Sequence, residues 1–124
     1  MRVKGLVIAG AMAFAGLAAP TAAQAGLNQC GTNYMCVWGN GNYEWLIAAQ
    51  VHGQGSWMDV FNDANGENNQ QDSWANRSNT YTGCMADDVD GGGDRITMAK
   101  ASSDPDLAWF NSNSTSAMRT KNGC

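Results

Sequence analysis

The sequence is poor in the residues on which most catalytic sites depend. Histidine occurs once, as His52, and the glutamates are only Glu44 and Glu67. A Ser-His-Asp or Cys-His site would have to use His52, which stands in "QVHGQGSW" between an apolar run and a glycine turn. We interpret His52 as a surface residue and expect no catalytic residues and no enzymatic activity.

Cysteine is also scarce, with only Cys30, Cys36, Cys84 and Cys124. A structural zinc site needs about four Cys or His ligands at tight spacings such as C-x2-C. "CGTNYMC" has five intervening residues and is neither a redox C-x-x-C nor a zinc motif. We therefore expect these cysteines to be structural, and no cofactor to be required.

Only one long apolar run is present, and it lies at the N-terminus. Arg2 and Lys4 precede "GLVIAGAMAFAGLAA", and Ala23-Gln24-Ala25 follows with the small-x-small pattern of a cleavage site. The run is shorter than the roughly 18 to 20 apolar residues of a membrane span. It predicts a secretory signal peptide over residues 1–25 and a secreted, extracellular mature protein over residues 26–124.

Basic residues are few. Without Arg2 and Lys4, five basic residues stand against eleven acidic ones, a net charge of −6. Such a surface repels phosphate backbones and anionic lipids, and no basic stripe is present. Nucleic acid and membranes are therefore excluded as expected partners.

A sustained helical period is missing from residues 26–124. Short apolar runs alternate with Gly, Asn, Asp and Ser clusters, which are typical of turns. The runs "YMCVW", "EWLIAAQV", "WMDVF", "GCMA", "DRITMAK" and "LAWF" all have the character of strands. Short strands separated by turns at about ten-residue intervals predict a single all-β domain, a sandwich or a barrel.

An exported chain with four cysteines predicts two disulfides, for which three pairings exist. We expect Cys30 and Cys36 to close a short loop. Cys84 and Cys124 then remain for each other, and their bridge would tie residue 124 to the second half of the chain.

A weak internal repeat supports a two-part sandwich. When Cys36 is placed over Cys84, "LIAA" falls near "ITMA", and Phe61-Asn62 falls near Phe110-Asn111. Two halves of nearly fifty residues, about 30–80 and 81–124, fit two Greek-key motifs.

Two further features leave function open. "DDVDGGGD" groups four aspartates around glycines, but it lacks the closing Glu of an EF-hand loop, so we interpret it as a solvated turn. Five tryptophans (Trp38, Trp45, Trp57, Trp74 and Trp109) follow the predicted signal peptide. Most are expected in a thin core, and stacking on sugar rings is the alternative.

The stretches "CGTNYMCVWGNGNY" and "DSWANRS" in an exported chain resemble the streptomycete-type metalloproteinase inhibitors, secreted proteins of actinobacteria. This resemblance implies two βγ-crystallin-like Greek keys packed as a sandwich. Trp38 and Tyr43 fit the aromatic positions of the crystallin key, while Trp45 stands where Gly is expected. In the second half Gly93 fits the glycine position, and Ala86 and Gly91 replace the aromatic residues.

The resemblance also implies calcium-binding segments, with the pattern Asn/Asp, Asn/Asp, two variable residues, Ser/Thr, Ser. Segment 68–73 fits except at Asp72, and segment 111–116 fits except at Ser112. The candidate calcium ligands are Asn68, Asn69, Ser73, Asn111, Thr115 and Ser116.

The function implied is inhibition of a secreted protease, most readily a metalloprotease, by a rigid exposed loop on a monomer. A loop that is already ordered loses little entropy when it binds. Gly83, Cys84, Met85 and Ala86 fit such a loop, with Cys84 as the anchor and Met85 as the inserted side chain. The alternative is a calcium- or carbohydrate-binding βγ-crystallin-like module without inhibitory activity.

Overall fold

The computed structural model describes residues 26–61, 69–108 and 112–124. Seven strands cover this part of the chain. They are β1 (Tyr34–Asn40), β2 (Glu44–Val51), β3 (Ser73–Asn76), β4 (Gly83–Ala86), β5 (Arg95–Met98), β6 (Ser102–Asp104) and β7 (Ala117–Arg119), with a 3-10 turn at Gly41–Tyr43. The all-β prediction is confirmed. No helix of these described residues has the length and apolar character to cross a bilayer.

The strands form two antiparallel sheets. The first has the order β2-β1-β3-β6, and the second has the order β5-β4-β7. β6 comes from the second half of the chain but pairs with β3 of the first half. Conversely, Met58 of the first half forms a bridge with Met118 in β7. Each half thus contributes one extended segment to the sheet of the other half, which makes the two halves a single folding unit.

The main core lies between the sheets because alternate residues of each strand point inward. Met35 and Val37 of β1 face Met85 of β4, and all three are fully buried. Met98, Met118 and Phe61 complete the centre of this cluster. Methionine fills irregular gaps well, which suits a core assembled from short strands.

A second apolar cluster covers the opposite face of the first sheet. Cys36, Trp38 and Ala75 lie there together with Cys30 and the partly buried Leu27. The Cys30–Cys36 disulfide holds the segment before β1 against this face. Since Cys84 alternates with the inward-facing Met85, its bridge to Cys124 ties the last residues to the outer face of the second sheet. Both predicted pairings are confirmed.

The internal repeat is visible in the strand register. Cys36 is opposite Ala49 in β2 and Ala75 in β3. Cys84 is opposite Thr97 in β5 and Arg119 in β7. The two cysteines therefore occupy matching places in an interior strand of their sheets, as the sequence comparison predicted.

The β1–β2 hairpin folds back on itself at its tip. The rings of Trp38 and Tyr43 meet edge to face, with centroids 5.1 Å apart. The Ser73 hydroxyl donates to the Asn40 carbonyl at 2.7 Å and accepts from the Tyr43 amide at 3.2 Å. Trp38 and Tyr43 thus form the aromatic corner that the crystallin-key pattern predicts.

Candidate functional site

The predicted inhibitory segment is not a loop. Gly83 to Ala86 form β4, the central strand of the second sheet, which is paired on both sides. Cys84 and Met85 are fully buried, and Ala86 is 1% exposed. The placement of an exposed inhibitory loop at these four residues was therefore wrong. The run "GCMA" is apolar because these residues are buried in the core. Its interpretation as a strand in the sequence is confirmed.

The two candidate calcium segments lie side by side. The Asn69 amide donates to the Thr115 carbonyl at 3.0 Å, and the Asn113 amide donates to the Gln71 carbonyl at 2.9 Å. Asn69 and Asn113 are both left-handed, with φ of 62° and 60°. These reciprocal bonds relate the two segments by a local two-fold arrangement and make Asn69 the counterpart of Asn113.

This arrangement corrects the predicted register of the second segment by one residue. Under this arrangement Thr115 matches Gln71, and Ser116 matches Asp72. Because Asp72 occupies the Ser/Thr position of the first segment, its counterpart in the second segment is Ser116 and not Thr115. The Thr115 amide donates to the Gln71 side chain at 2.9 Å, and Thr115 is 1% exposed. Asn68 and Asn111 lie outside the described residues.

The remaining candidates differ in their roles. The Ser73 hydroxyl is fully buried and already engaged in the β1–β2 hairpin. Ser116 Oγ lies 3.4 Å from Asn69 Oδ1, which joins two predicted ligands across the paired segments. Of the described predicted ligands, Asn69 and Ser116 therefore come together, whereas Ser73 supports the fold.

Asp72 departs from the calcium pattern in the sequence, yet it brings a carboxylate to this region. Its carbonyl accepts from the Leu107 amide at 2.9 Å, so the segment before β3 lies against residues 106–107. Burial raises the pKa of the Asp72 carboxyl above its ordinary value, and the neighbouring Asp106 carboxylate raises that pKa further. Nearby like charges of this kind favour a proton or a cation.

The acidic turn at 87–94 is organised by its own backbone. The Asp90 side chain accepts from the Gly92 amide at 3.1 Å, and the Asp87 side chain accepts from the Asp94 amide at 3.3 Å. Among the described residues, no group of three or more His, Cys, Asp or Glu side chains could hold a metal ion. A calcium site would therefore have to use amide, hydroxyl and backbone oxygens as well as carboxylates.

His52 does meet a serine. Its Nδ1 lies 2.6 Å from Ser78 Oγ, which also accepts from the Thr80 and Tyr81 amides. Ser78 is fully buried, so its hydroxyl cannot reach a substrate. The pair closes the end of the hairpin onto the loop after β3, and its role is structural.

The described surface also contains an open groove of about 490 Å³. It lies between the segment before β1 and the β3–β6 edge, and its lining includes Asn28, Thr32, Arg77, Asn79 and Ser103. Neutral amides and hydroxyls dominate this set, and no predicted site residue belongs to it.

No family model matches the sequence, and no curated protein matches it. Two solved structures do resemble the fold. One, described as "Evolution of the eye lens beta-gamma-crystallin domain fold", superposes with a TM-score of 0.58 at 20% identity, covering 72% of this chain and 85% of the other. The second, a βγ-crystallin domain from Flavobacterium johnsoniae, has a TM-score of 0.55 at 18% identity, covering 73% and 97%.

At 20% and 18% identity these likenesses show the fold. The chain has the βγ-crystallin fold, built from two Greek-key halves and two disulfides.

Proposed function

We propose that the protein is a calcium-binding βγ-crystallin-type module, with its site at the paired segments 69–73 and 112–116. The reciprocal hydrogen bonds from Asn69 to Thr115 and from Asn113 to Gln71 carry the proposal. They bring the two halves of a repeated pattern of oxygen-bearing side chains into contact at one end of the sandwich.

The chemistry of the donors fits a hard cation. Calcium takes six to eight oxygen ligands from carboxylates, amides, carbonyls and water in a flexible geometry. Asn69 Oδ1 of the first segment and Ser116 Oγ of the second supply two neighbouring oxygens. The counterpart of Asn69 in the second segment is Asn113, and the counterpart of Ser116 in the first segment is Asp72. When bound, the ion would link the two halves of the chain and offset the negative charge of the Asp72 and Asp106 carboxylates. We assign it no part in a reaction.

Calorimetric titration with CaCl2 tests this function. We expect saturable binding with a Kd on the order of 10⁻⁴ to 10⁻³ M, the range of extracellular calcium modules. At 10 mM calcium such binding would raise the free energy of unfolding by about 1.4 to 2.7 kcal/mol. Asp72→Asn should weaken binding, whereas the matched change Asp90→Asn in the acidic turn should not. The absence of both binding heat and thermal stabilisation at 10 mM would contradict the proposal.

The pH dependence of the metal-free protein gives a separate check on Asp72. Its folded pKa lies above the ordinary value of 3.8, so the ionised carboxylate is less favourable in the folded state than in the unfolded chain. This penalty is present at neutral pH and disappears as the pH falls through the folded pKa. Asp72→Asn should therefore be slightly more stable than the parent at pH 7 without calcium, and the difference should vanish below about pH 3.8.

A second candidate is inhibition of a secreted protease through a different segment. Residues 51–56 lie at the surface, with Val51 45% exposed. They are nevertheless held in place, because the Gly53 amide donates to the Thr120 carbonyl and the Gln54 amide donates to Thr120 Oγ1. Thr120 Oγ1 in turn donates to the Val51 carbonyl at 2.8 Å. A rigid exposed segment with an apolar side chain is what such an inhibitor presents.

Residual protease activity at increasing protein concentration tests this candidate. A thermolysin-like enzyme and a panel of secreted serine proteases should be used. Inhibition that is lost in Val51→Asp and kept in Val89→Asp, an equally exposed site elsewhere, would support it. No inhibition of any enzyme in the panel would remove it.

A further inference from the structure

Trp45 has a backbone conformation that normally selects glycine. Its φ is 64°, in the left-handed region. The second half has glycines at the two matching positions: Gly91 and Gly93 lie 48 residues after Tyr43 and Trp45, the spacing that separates Cys36 from Cys84. All four residues have positive φ. The fold therefore requires this conformation in both halves, and the first half places two large aromatic residues in it.

The two aromatic residues differ in what they do. Tyr43 is 5% exposed and packs on Trp38 in the hairpin corner. Trp45 is 46% exposed, the most exposed aromatic side chain of the described residues. Core packing explains Tyr43, but it does not explain why a bulky residue stands at position 45.

The Trp45 indole is nevertheless held in one orientation. A Cβ atom added to Gly39 would overlap the six-membered ring of Trp45, so this ring lies directly on the Gly39 backbone. With one ring face against β1 and nearly half of the side chain exposed, the other face is presented to solvent. The solvent-facing side of the Trp45 ring is thus a flat apolar surface, here called the plate, and its other side packs against Gly39.

Two polar residues lie near Trp45 in the sequence, at the tip of the β1–β2 hairpin. Asn42 and Glu44 are exposed, and neither side chain hydrogen-bonds to another described residue. No Lys or Arg occurs between residues 26 and 76, so the two strands of the hairpin themselves offer no positive charge to a phosphorylated ligand. A flat apolar plate on a hairpin that contains no basic residue matches a neutral pyranose ring, which has an apolar C–H face and hydroxyls at its edge.

We infer that the exposed face of the Trp45 ring binds a neutral sugar ring of a polysaccharide by stacking. Non-glycine residues held in sparsely populated backbone conformations are concentrated at functional sites. The exposed and supported ring supplies an independent reason to assign this one to a ligand. The inference does not depend on calcium binding, because Trp45 is not one of the proposed calcium ligands, although Ser73 of the first segment hydrogen-bonds to the hairpin.

Sedimentation with insoluble neutral polysaccharides (cellulose, chitin, xylan and a β-1,3-glucan) tests the inference. We expect binding to at least one of them, and protection of tryptophan fluorescence from acrylamide quenching by a soluble oligosaccharide of the same sugar. Trp45→Gly keeps the left-handed backbone and removes the plate, so affinity should fall on the order of tenfold or more. Trp45→Tyr should retain part of the affinity.

Tyr34→Ala is the matched control, since Tyr34 is 40% exposed and lies at the other end of β1. It should bind like the parent, and near-ultraviolet circular dichroism should show that every variant is folded. All assays are repeated in EDTA, where sugar binding should persist; its loss there would overturn the separation from the calcium site. Failure to bind any of the four polysaccharides, or equal binding by Trp45→Gly, would overturn the stacking site itself.

Discussion

Met85→Asp is expected to prevent the chain from folding. Met85 is fully buried in the central strand of the second sheet, opposite Ile96 on one side and Met118 on the other. An unpaired carboxylate at that position loses its hydration without gaining a partner, in addition to the lost packing of the thioether. The combined cost is about 4 to 5 kcal/mol or more, which is comparable to the whole stability of many domains of this size.

The measurement is near-ultraviolet circular dichroism with urea unfolding. Met85→Leu is the matched control, because a volume-conserving apolar change should cost less than about 1.5 kcal/mol. A Met85→Asp protein with the parent's spectrum and unfolding midpoint would show that residue 85 is exposed. That result would restore the inhibitory-loop interpretation of Gly83 to Ala86.

Removal of the Cys84–Cys124 bridge should have the second-largest effect. The two cysteines are 40 residues apart in the sequence, against six for Cys30 and Cys36. In the chain-entropy model a bridge stabilises mainly by restricting the unfolded chain, and the effect increases with loop length. The model gives about 4 kcal/mol for the long loop and about 2.4 kcal/mol for the short one.

Paired Cys→Ala substitutions at each bridge, compared by urea unfolding, measure this difference. The Cys84/Cys124 variant should be the less stable of the two. It should also loosen residues 121–124, which then keep the bond from the Gly123 amide to the Thr82 carbonyl and the bonds from the Arg119 and Arg95 side chains to the last two carbonyls. A larger loss in the Cys30/Cys36 variant would show that packing of the segment before β1, rather than loop length, controls the contribution of the bridges.

Four of the six apolar runs predicted as strands contain one, whereas "WMDVF" forms only the isolated bridge at Met58 and "LAWF" lies partly outside the described residues. The runs around Met35, Leu46, Met85 and Ile96 all contain strands. β3, β6 and β7 were not predicted, because "SWAN", "SSD" and "AMR" are short and have little apolar alternation. These strands are stabilised by neighbours distant in sequence, such as Trp74 opposite Asp104, and such pairing leaves little trace in local composition.

The site shows the same division. The two polar segments and the unusual position of Trp45 were visible in the sequence, since both depend on residue type. Three features were not visible in the sequence: the register of the two polar segments, the proximity of Asp72 to Asp106 and the packing of Trp45 on Gly39. Each depends on contacts between separate segments. The error at Met85 has the same origin: an apolar residue next to a cysteine suits both an anchored loop and a buried strand.

The sequence by itself determined the all-β class, and it predicted the disulfide pairing and the two-part repeat that the structure then showed. These follow from local alternation, turn residues and the positions of four cysteines, all of which are properties of the linear chain. The tertiary structure alone decided that β4 is interior, that β6 pairs with β3 of the first half, and that Trp45 stands on Gly39 with a face to solvent. Burial and pairing between distant segments decide these features, and they exist only once the two halves pack.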